Sequence, residues 1–300
     1  MRCLRETNCT KNGRRKSLKK VYLYVGLTLG ITWLLQFCPI ILQMNVEDTS
    51  ISSFDFASVF FGLGGMMPSL IGVFFAIFSY DKVKKKDFFK RCFVPHKLGW
   101  LCIGGALLFI CLEVVVAQLI SRIFWDVEPL GYEGLKVIIK APCMIFYYLF
   151  WGLISGPISE EFGWRGYLQD QLLQKENMLK STLAIGLIWG IWHLPLFFYP
   201  TQIQHTWMET NPWLGIGFLV LCVTNSLVYS IFYICSKKSI FVMFFVHMFE
   251  NIVSTGIMIY PFSDVYSNVI IPVTIVLDVI FYCVMIKTRI YQKRLEECHM

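Results

Sequence analysis

The sequence predicts an all-α, polytopic transmembrane helical bundle of about eight spans, and three observations carry that prediction. The 300 residues are 56% hydrophobic with a mean hydropathy of +0.59, well outside the range of soluble chains. Apolar runs of about twenty residues recur along the chain, each long enough to cross a hydrocarbon core of roughly 30 Å. Lys and Arg gather in alternate connections, as they do in cytoplasmic loops.

Taken in order, residues 1–20 carry eight Lys or Arg against one Glu, and read as a disordered basic cytoplasmic lead-in. Val21 to Met44 is the first span, too long for a signal-peptide core. Asn45 to Asp55 has three acids and no base, and Phe56 to Ser79 forms the second span, where Gly62, Gly64 and Gly65 imply close helix packing beside Pro68. Tyr80 to Lys97 returns seven bases against two acids. The third span, Leu98 to Ser121, contains Glu113, an intramembrane acid with either a functional or a hydrogen-bonded structural role.

An acid-leaning segment leads to the fourth span, Val137 to Ile158, which Gly156 and Pro157 can kink. From Ser159 to about Gln174 the pattern is amphipathic, fitting a helix bent along the inner interface. Leu183 to Phe198 is the core of the fifth span, and the loop from Pro200 to Pro212 has one acid and no Lys or Arg. Trp213 to Cys235 is the sixth span, Ile240 to Tyr260 the seventh, and Val265 to Ile286, carrying Asp278, the last. Residues 287–300 form a basic tail. Eight spans place both termini, and the Glu160 edge, in the cytoplasm. The transmembrane domain is 21–286, with no separate soluble domain.

Composition also excludes classes. The net charge of +7 follows from membrane topology and needs no nucleic-acid partner; the partner it implies is the lipid bilayer. Eleven cysteines form no Cys-x-x-Cys pair, so neither a disulfide framework nor a thiolate zinc site is indicated. Frequent Lys, Ile and Phe point to a bacterial cell membrane.

Candidate chemistry lies in three places. In Ser159-Glu160-Glu161-Phe162-Gly163-Trp164-Arg165, Glu161 and Arg165 are four apart, an ion pair in the favourable order. Glu160 is turned away by about a hundred degrees, leaving a free carboxylate as a candidate base. A helix start with capping acids would look alike. His193 lies in the apolar string Trp189-Gly190-Ile191-Trp192-His193-Leu194-Pro195, where an imidazole needs a partner, structural or catalytic. His247 and Asn251 share one helical face, as in a catalytic pair or a polar interhelical seam. Glu250 lies about sixty degrees round from His247 and either joins the site or pairs with a Lys of the inner loop. Together the three places offer a base, a group to position water and donors for an oxyanion.

These residues resemble the motifs of the CPBP intramembrane proteases, the CAAX prenyl endopeptidases of the Ras-converting type and their relatives in bacteriocin processing and self-immunity. Glu-Glu-x-x-x-Arg matches Glu160, Glu161 and Arg165; an aromatic four before a His matches Trp189 and His193; His-x-x-x-Asn matches His247 and Asn251. The match covers roughly Ser155 to Ser254, and implies a protease core at 137–260 with a cavity open to the cytosol. It further implies that Glu160 and His193 activate water, that His247 and Asn251 steady the oxyanion, and that Glu161, Arg165 and Trp189 support them. The family is also described as metalloproteases, and a carboxylate with two imidazoles, Glu160, His193 and His247, is a possible zinc set. The expected substrate is a membrane-anchored peptide or protein cut near the cytosolic face. Two other readings compete: a non-catalytic scaffold or immunity protein on the same fold, and a transporter, which the missing inverted repeat disfavours.

Overall fold

In the computed structural model, which describes residues 2–44, 56–94, 97–125, 133–253 and 264–299, every regular element is helical. Helix α1 (Arg2–Ile41) begins inside the segment expected to be a disordered lead-in and continues as the first span. Helix α2 (Phe56–Ser79) returns, and the short α3 (Lys82–Phe93) follows, its N-terminus capped by Asp81 accepting from Lys84 N at 2.9 Å. Then come α4 (Lys97–Trp125), α5 (Glu133–Lys140), α6 (Met144–Ile154), α7 (Pro157–Glu161), a π-helix (Phe162–Leu168) and α8 (Gln169–Leu173). The chain continues as α9 (Met178–Trp192), a 3-10 turn (Leu194–Phe198), α10 (Ile203–Thr210), α11 (Pro212–Cys235), α12 (Ile240–Asn251), α13 (Asp264–Met285) and α14 (Arg289–His299).

Among the described residues, six helices are long and apolar enough to cross a membrane: Leu18–Ile41, Phe56–Ser79, Lys97–Trp125, Met178–Phe198, Pro212–Cys235 and Asn268–Met285. The expected fourth span differs, and the seventh is described only in part. The fourth is broken near Pro142 and again at Gly156-Pro157, so α6 is only 11 residues long. The described part of the seventh is the 12-residue α12, and its expected remainder, 254–260, lies outside the described residues. Hydropathy counts apolar residues and is blind to backbone breaks. Within a membrane, broken backbone is tolerated where protein or a cavity shields it, and the interrupted fourth segment leads directly into the two acids.

Helix α11 is the hub, with 72% of its apolar window buried against the neighbouring helices. Its ends are set by Asn211, whose side chain accepts from Trp213 N at 3.2 Å, and by Pro212 in the first turn. In α2, Pro68 has no N–H, so the carbonyl of Gly64 loses its helical donor. Thr32 Oγ1 of α1 donates to that oxygen at 2.9 Å and itself accepts from Trp192 Nε1 at 2.9 Å. The proline thereby ties α2, α1 and α9 together.

The glycines expected to allow close packing divide. A Cβ on Gly64 would stand 2.7 Å from Gln36 Cγ, whereas Gly62 and Gly65 have nothing within 4 Å. The tightest approach was not anticipated: Gly72 of α2 faces Gly163, where a Cβ would come within 2.2 Å of Pro68 O and 2.4 Å of Tyr24 Oη. That contact presses the π-helix into the bundle. The segment from Ser159 onward was expected to lie amphipathically at the inner interface, yet Glu160, Glu161 and Arg165 are 4%, 0% and 2% exposed. Its polar residues face inward because their partners are inside.

The basic connections meet at one end of the bundle. Arg91 of α3 pairs with Asp170 of α8 and with Asp87 at 2.8 Å, and donates to Tyr233 Oη at 3.2 Å and Lys238 O at 3.3 Å. Burial, and then the facing Asp170 carboxylate, hold the neighbouring Tyr80 hydroxyl well above its ordinary range, so it stays a donor.

Candidate active site

Gly156 ends the run of α6, and Pro157 opens α7 in the first turn, where its missing N–H is not needed. The chain then widens into the π-helix, with Gln169 N–H bonded to Trp164 O five residues back. Such widened turns are rare and are frequent at functional sites. Here the stretch presents Trp164 and Arg165 to the two glutamates that precede it.

The two acids take different partners. Glu160 Oε2 accepts the indole N–H of Trp189 at 2.6 Å and of Trp164 at 3.2 Å, which fixes one oxygen and leaves Oε1 available to the cavity. Glu161 Oε1 accepts from Arg165 Nη1 at 3.0 Å and from His247 Nδ1 at 2.8 Å. Arg165 also donates to Ser226 Oγ at 3.3 Å and lies 4.4 Å from the Tyr229 ring and 5.0 Å from that of Trp189. A buried guanidinium needs this compensation, because removing it from water costs several kcal/mol.

The Glu161 contact assigns the proton on His247 Nδ1 and directs Nε2 elsewhere. Its direction is given by Gly156: a Cβ there would stand 2.8 Å from both His247 Nε2 and Asn251 Nδ2. Two nitrogen atoms one helical turn apart therefore converge over a glycine that leaves them room. His193 closes α9, and its Nδ1 donates to Trp189 O at 2.8 Å, so its Nε2 is the free ring atom. Trp189 sits between the imidazoles, with its ring 5.5 Å from each.

Glu160, His193, His247 and Asn251 line one cavity of about 520 Å³, together with Trp151, Trp207, Asn225 and Glu250. Glu250 thus joins the cavity wall, hydrogen-bonded to Asn225, with no inner-loop Lys on that wall. Glu113 and Asp278 hydrogen-bond to each other across α4 and α13 and do not line the cavity. Among the described residues, no three of His, Cys, Asp and Glu converge closely enough to hold one metal ion. Glu160 Oε1 and the Nε2 atoms of His193 and His247 are the donors a zinc ion would need, but they do not converge on one point, so in this arrangement the three do not fit a zinc centre.

Sequence reasoning missed Trp164, Ser226 and Tyr229 as partners of the charged residues, and Gly156 as the residue that makes room. Trp164 had a legible signal, since it lies four residues after Glu160, as Arg165 does after Glu161. Ser226 and Tyr229 had none, because they reach the site only through the packing of α11.

The sequence profile of the family described as Type II CAAX prenyl endopeptidase Rce1-like matches residues 142–253. The chain is also 23% identical over 232 residues to CAAX prenyl protease 2 of Methanococcus maripaludis, covering 77% of this chain and 82% of that protein. The matched segment contains α6 to α12, and with them every residue placed around the cavity above except the α13 wall.

Proposed function

We propose that this chain, which belongs to the CPBP family of intramembrane proteases, is an endopeptidase that hydrolyses a peptide bond in a membrane-anchored peptide or protein. The single observation that carries the reading is the shared cavity: a carboxylate oxygen, a free imidazole nitrogen and two convergent nitrogen atoms of His247 and Asn251 face one space. In the reaction, Glu160 Oε1 and His193 Nε2 hold a water, and Glu160 takes its proton as the oxygen attacks the peptide carbonyl carbon. The carbonyl oxygen becomes an oxyanion over Gly156, where Asn251 Nδ2 and the protonated His247 Nε2 donate to it. Glu161 balances the imidazolium from the other side of the ring. Collapse breaks the C–N bond, and the proton held on Glu160 passes to the leaving amine, giving a carboxylic acid and an amine.

Trp164 and Trp189 act as positioning residues, because their indoles set which oxygen of Glu160 is available. The bilayer is the partner that presents the substrate, since a membrane-embedded cavity receives peptides already held at the membrane. The basic connections and both termini are assigned to the cytoplasm by their charge. The expected cut at the cytosolic face depends on where the cavity lies relative to those connections.

The test is turnover of a membrane-tethered peptide library by purified protein, compared with Glu160→Gln. That variant keeps the shape and the indole contacts but loses the base, and a loss of at least ~100-fold is expected. Full turnover by Glu160→Gln refutes the base assignment. Absence of turnover by the unaltered protein on any tethered peptide refutes the endopeptidase reading.

A further inference from the structure

We propose that Glu250 sets the specificity of the cavity: its carboxylate receives a cationic side chain of the substrate, a Lys or Arg, beside the peptide bond that is cut. The inference rests on the endopeptidase reading and deepens it, naming the class of peptide that the site selects.

Of the titratable residues that line the cavity, Glu250 is the one to which the hydrolysis above gives no task. It stands on α12 between the two oxyanion donors, three residues after His247 and one before Asn251. Helical geometry turns it about 60 degrees from the first and about 100 degrees from the second, with a rise of only ~1.5 Å to Asn251. The carboxylate is thus a neighbour of the oxyanion position over Gly156, where both donors converge. Successive residues of an extended peptide are about 3.4 Å apart, so the side chains within its reach are those flanking the scissile bond.

The surroundings hold this acid in the wall without adding positive charge. Glu250 is hydrogen-bonded to Asn225 of α11, an uncharged amide that lines the same cavity. Behind it, Asp278 is hydrogen-bonded to Thr224 and Glu113, outside the cavity lining. A hydrogen bond between two carboxyl groups contains a proton, so that pair contributes no cation.

The charge of the whole wall points the same way. It carries two carboxylates, Glu160 and Glu250, two imidazoles and, among the described residues, no Lys or Arg. Residues 45–55, 95–96, 126–132 and 254–263, which lie outside the described ones, contain no Lys or Arg either. Arg165 is buried behind the site and paired with Glu161. In the proposed reaction two carboxylates therefore face one imidazolium, that of His247, and the wall is net negative. Such a wall admits a cationic side chain and rejects an acidic one.

The apolar lining suits the same guest. Tyr147 and Trp151 of α6 line the cavity with ring centroids 6.2 Å apart, and Trp207 of α10 and Phe218 of α11 do so with centroids 6.0 Å apart. Aromatic faces attract ammonium and guanidinium groups, more strongly where water is excluded, and they cover the methylene stem of Lys or Arg.

The experiment uses the purified full chain and sets of membrane-tethered peptides that differ at one position, occupied by Lys, by its uncharged isostere norleucine or by Glu. The position is moved through the residues on either side of the cut. At one such position kcat/KM should be at least ~10-fold higher for Lys than for norleucine, and lowest for Glu. Glu250→Gln should bring the Lys-to-norleucine ratio close to one, while Glu250→Asp, which keeps the charge, should retain a preference for Lys. Each ratio is taken within one protein, so a general loss of activity does not enter it. Equal ratios in the unaltered protein and Glu250→Gln overturn the inference, and so does the absence of a Lys preference at every position in the unaltered protein.

Binding separates the inference from the endopeptidase reading. Fluorescently labelled peptides of the same sets should bind Glu160→Gln with the preference for Lys intact, and the double variant with Glu250→Gln should lose it. Loss of the preference in Glu160→Gln alone assigns the cation to Glu160 and overturns the inference. Cutting without any Lys preference overturns it too and leaves the protease reading intact. Preferential binding of Lys peptides with no cutting by the unaltered protein removes the protease reading and leaves the cation site established.

Discussion

Glu161 Oε1 stands 2.8 Å from His247 Nδ1, and the same oxygen is held by Arg165 Nη1 at 3.0 Å. The second acid of the pair is therefore an orienting group, tied through the imidazole to the cavity. Glu161→Gln keeps the size of the side chain but removes the charge that balances Arg165 and holds His247 Nδ1. Leaving one member of a buried pair uncompensated costs about 3–5 kcal/mol. The expected outcome is a lower melting temperature in detergent together with a fall in kcat, whereas Glu160→Gln lowers kcat alone. Equal melting temperatures for Glu161→Gln and the unaltered protein would contradict the buried-pair account.

Gly156→Ala tests the convergence of His247 and Asn251. The new methyl would lie 2.8 Å from His247 Nε2 and from Asn251 Nδ2, so one or both must move. Overpacking of this kind costs about 1–3 kcal/mol, and a shift of the donors weakens the oxyanion contacts further. We expect at least a ~10-fold fall in kcat with KM little changed, measured on a tethered peptide.

Gly163→Ala probes a purely packing role. Its methyl would be forced to within 2.2 Å of Pro68 O and 2.4 Å of Tyr24 Oη, both on neighbouring helices. Neither backbone nor a buried ring can yield cheaply, so the loss should reach the upper part of the 1–3 kcal/mol range or beyond it. Thermal unfolding in detergent should show a lower midpoint, and expression should fall. Gly62→Ala, where nothing lies within 4 Å, is the matched control and should change neither.

A fourth prediction concerns metal. Among the described residues Glu160, His193 and His247 do not converge on one point, so activity should persist after chelation and metal analysis should find well below one ion per active chain. A stoichiometry near one, with loss of metal in His193→Ala and His247→Ala, would show that the site rearranges around a cation.

How much of this was legible in the sequence depends on what each residue needs. The second span, Phe56 to Ser79, could be bounded to the residue because apolar length is a local property. The fourth could not, because its apolar run continues across the breaks at Pro142 and Gly156-Pro157 that divide the backbone. The Glu161–Arg165 pair follows from spacing on one helix, and so does the turning of Glu160 away from it by about a hundred degrees. The tie from Glu161 to His247 spans 86 residues and exists only once α12 packs on α7. Gly156 and Gly163 read as a kink and an ordinary helix position, since the atoms that forbid a side chain there come from distant segments.

The stack of rings from Trp192 to Tyr80 bears on the cell's energy supply. A hydrolytic site inside a bilayer needs water, and a wet path from one face to the other would short-circuit ion and proton gradients. The rings run in file from Trp192 through Trp164, Tyr24 and Tyr167 to Tyr80 at the charged end, with successive centroids 6.1, 6.1, 5.2 and 5.7 Å apart, and the middle three have no exposed surface. Under the proposed function, those aromatic residues would insulate the membrane as well as hold the protein together. Replacing them by small side chains should appear first as proton leakage in sealed vesicles.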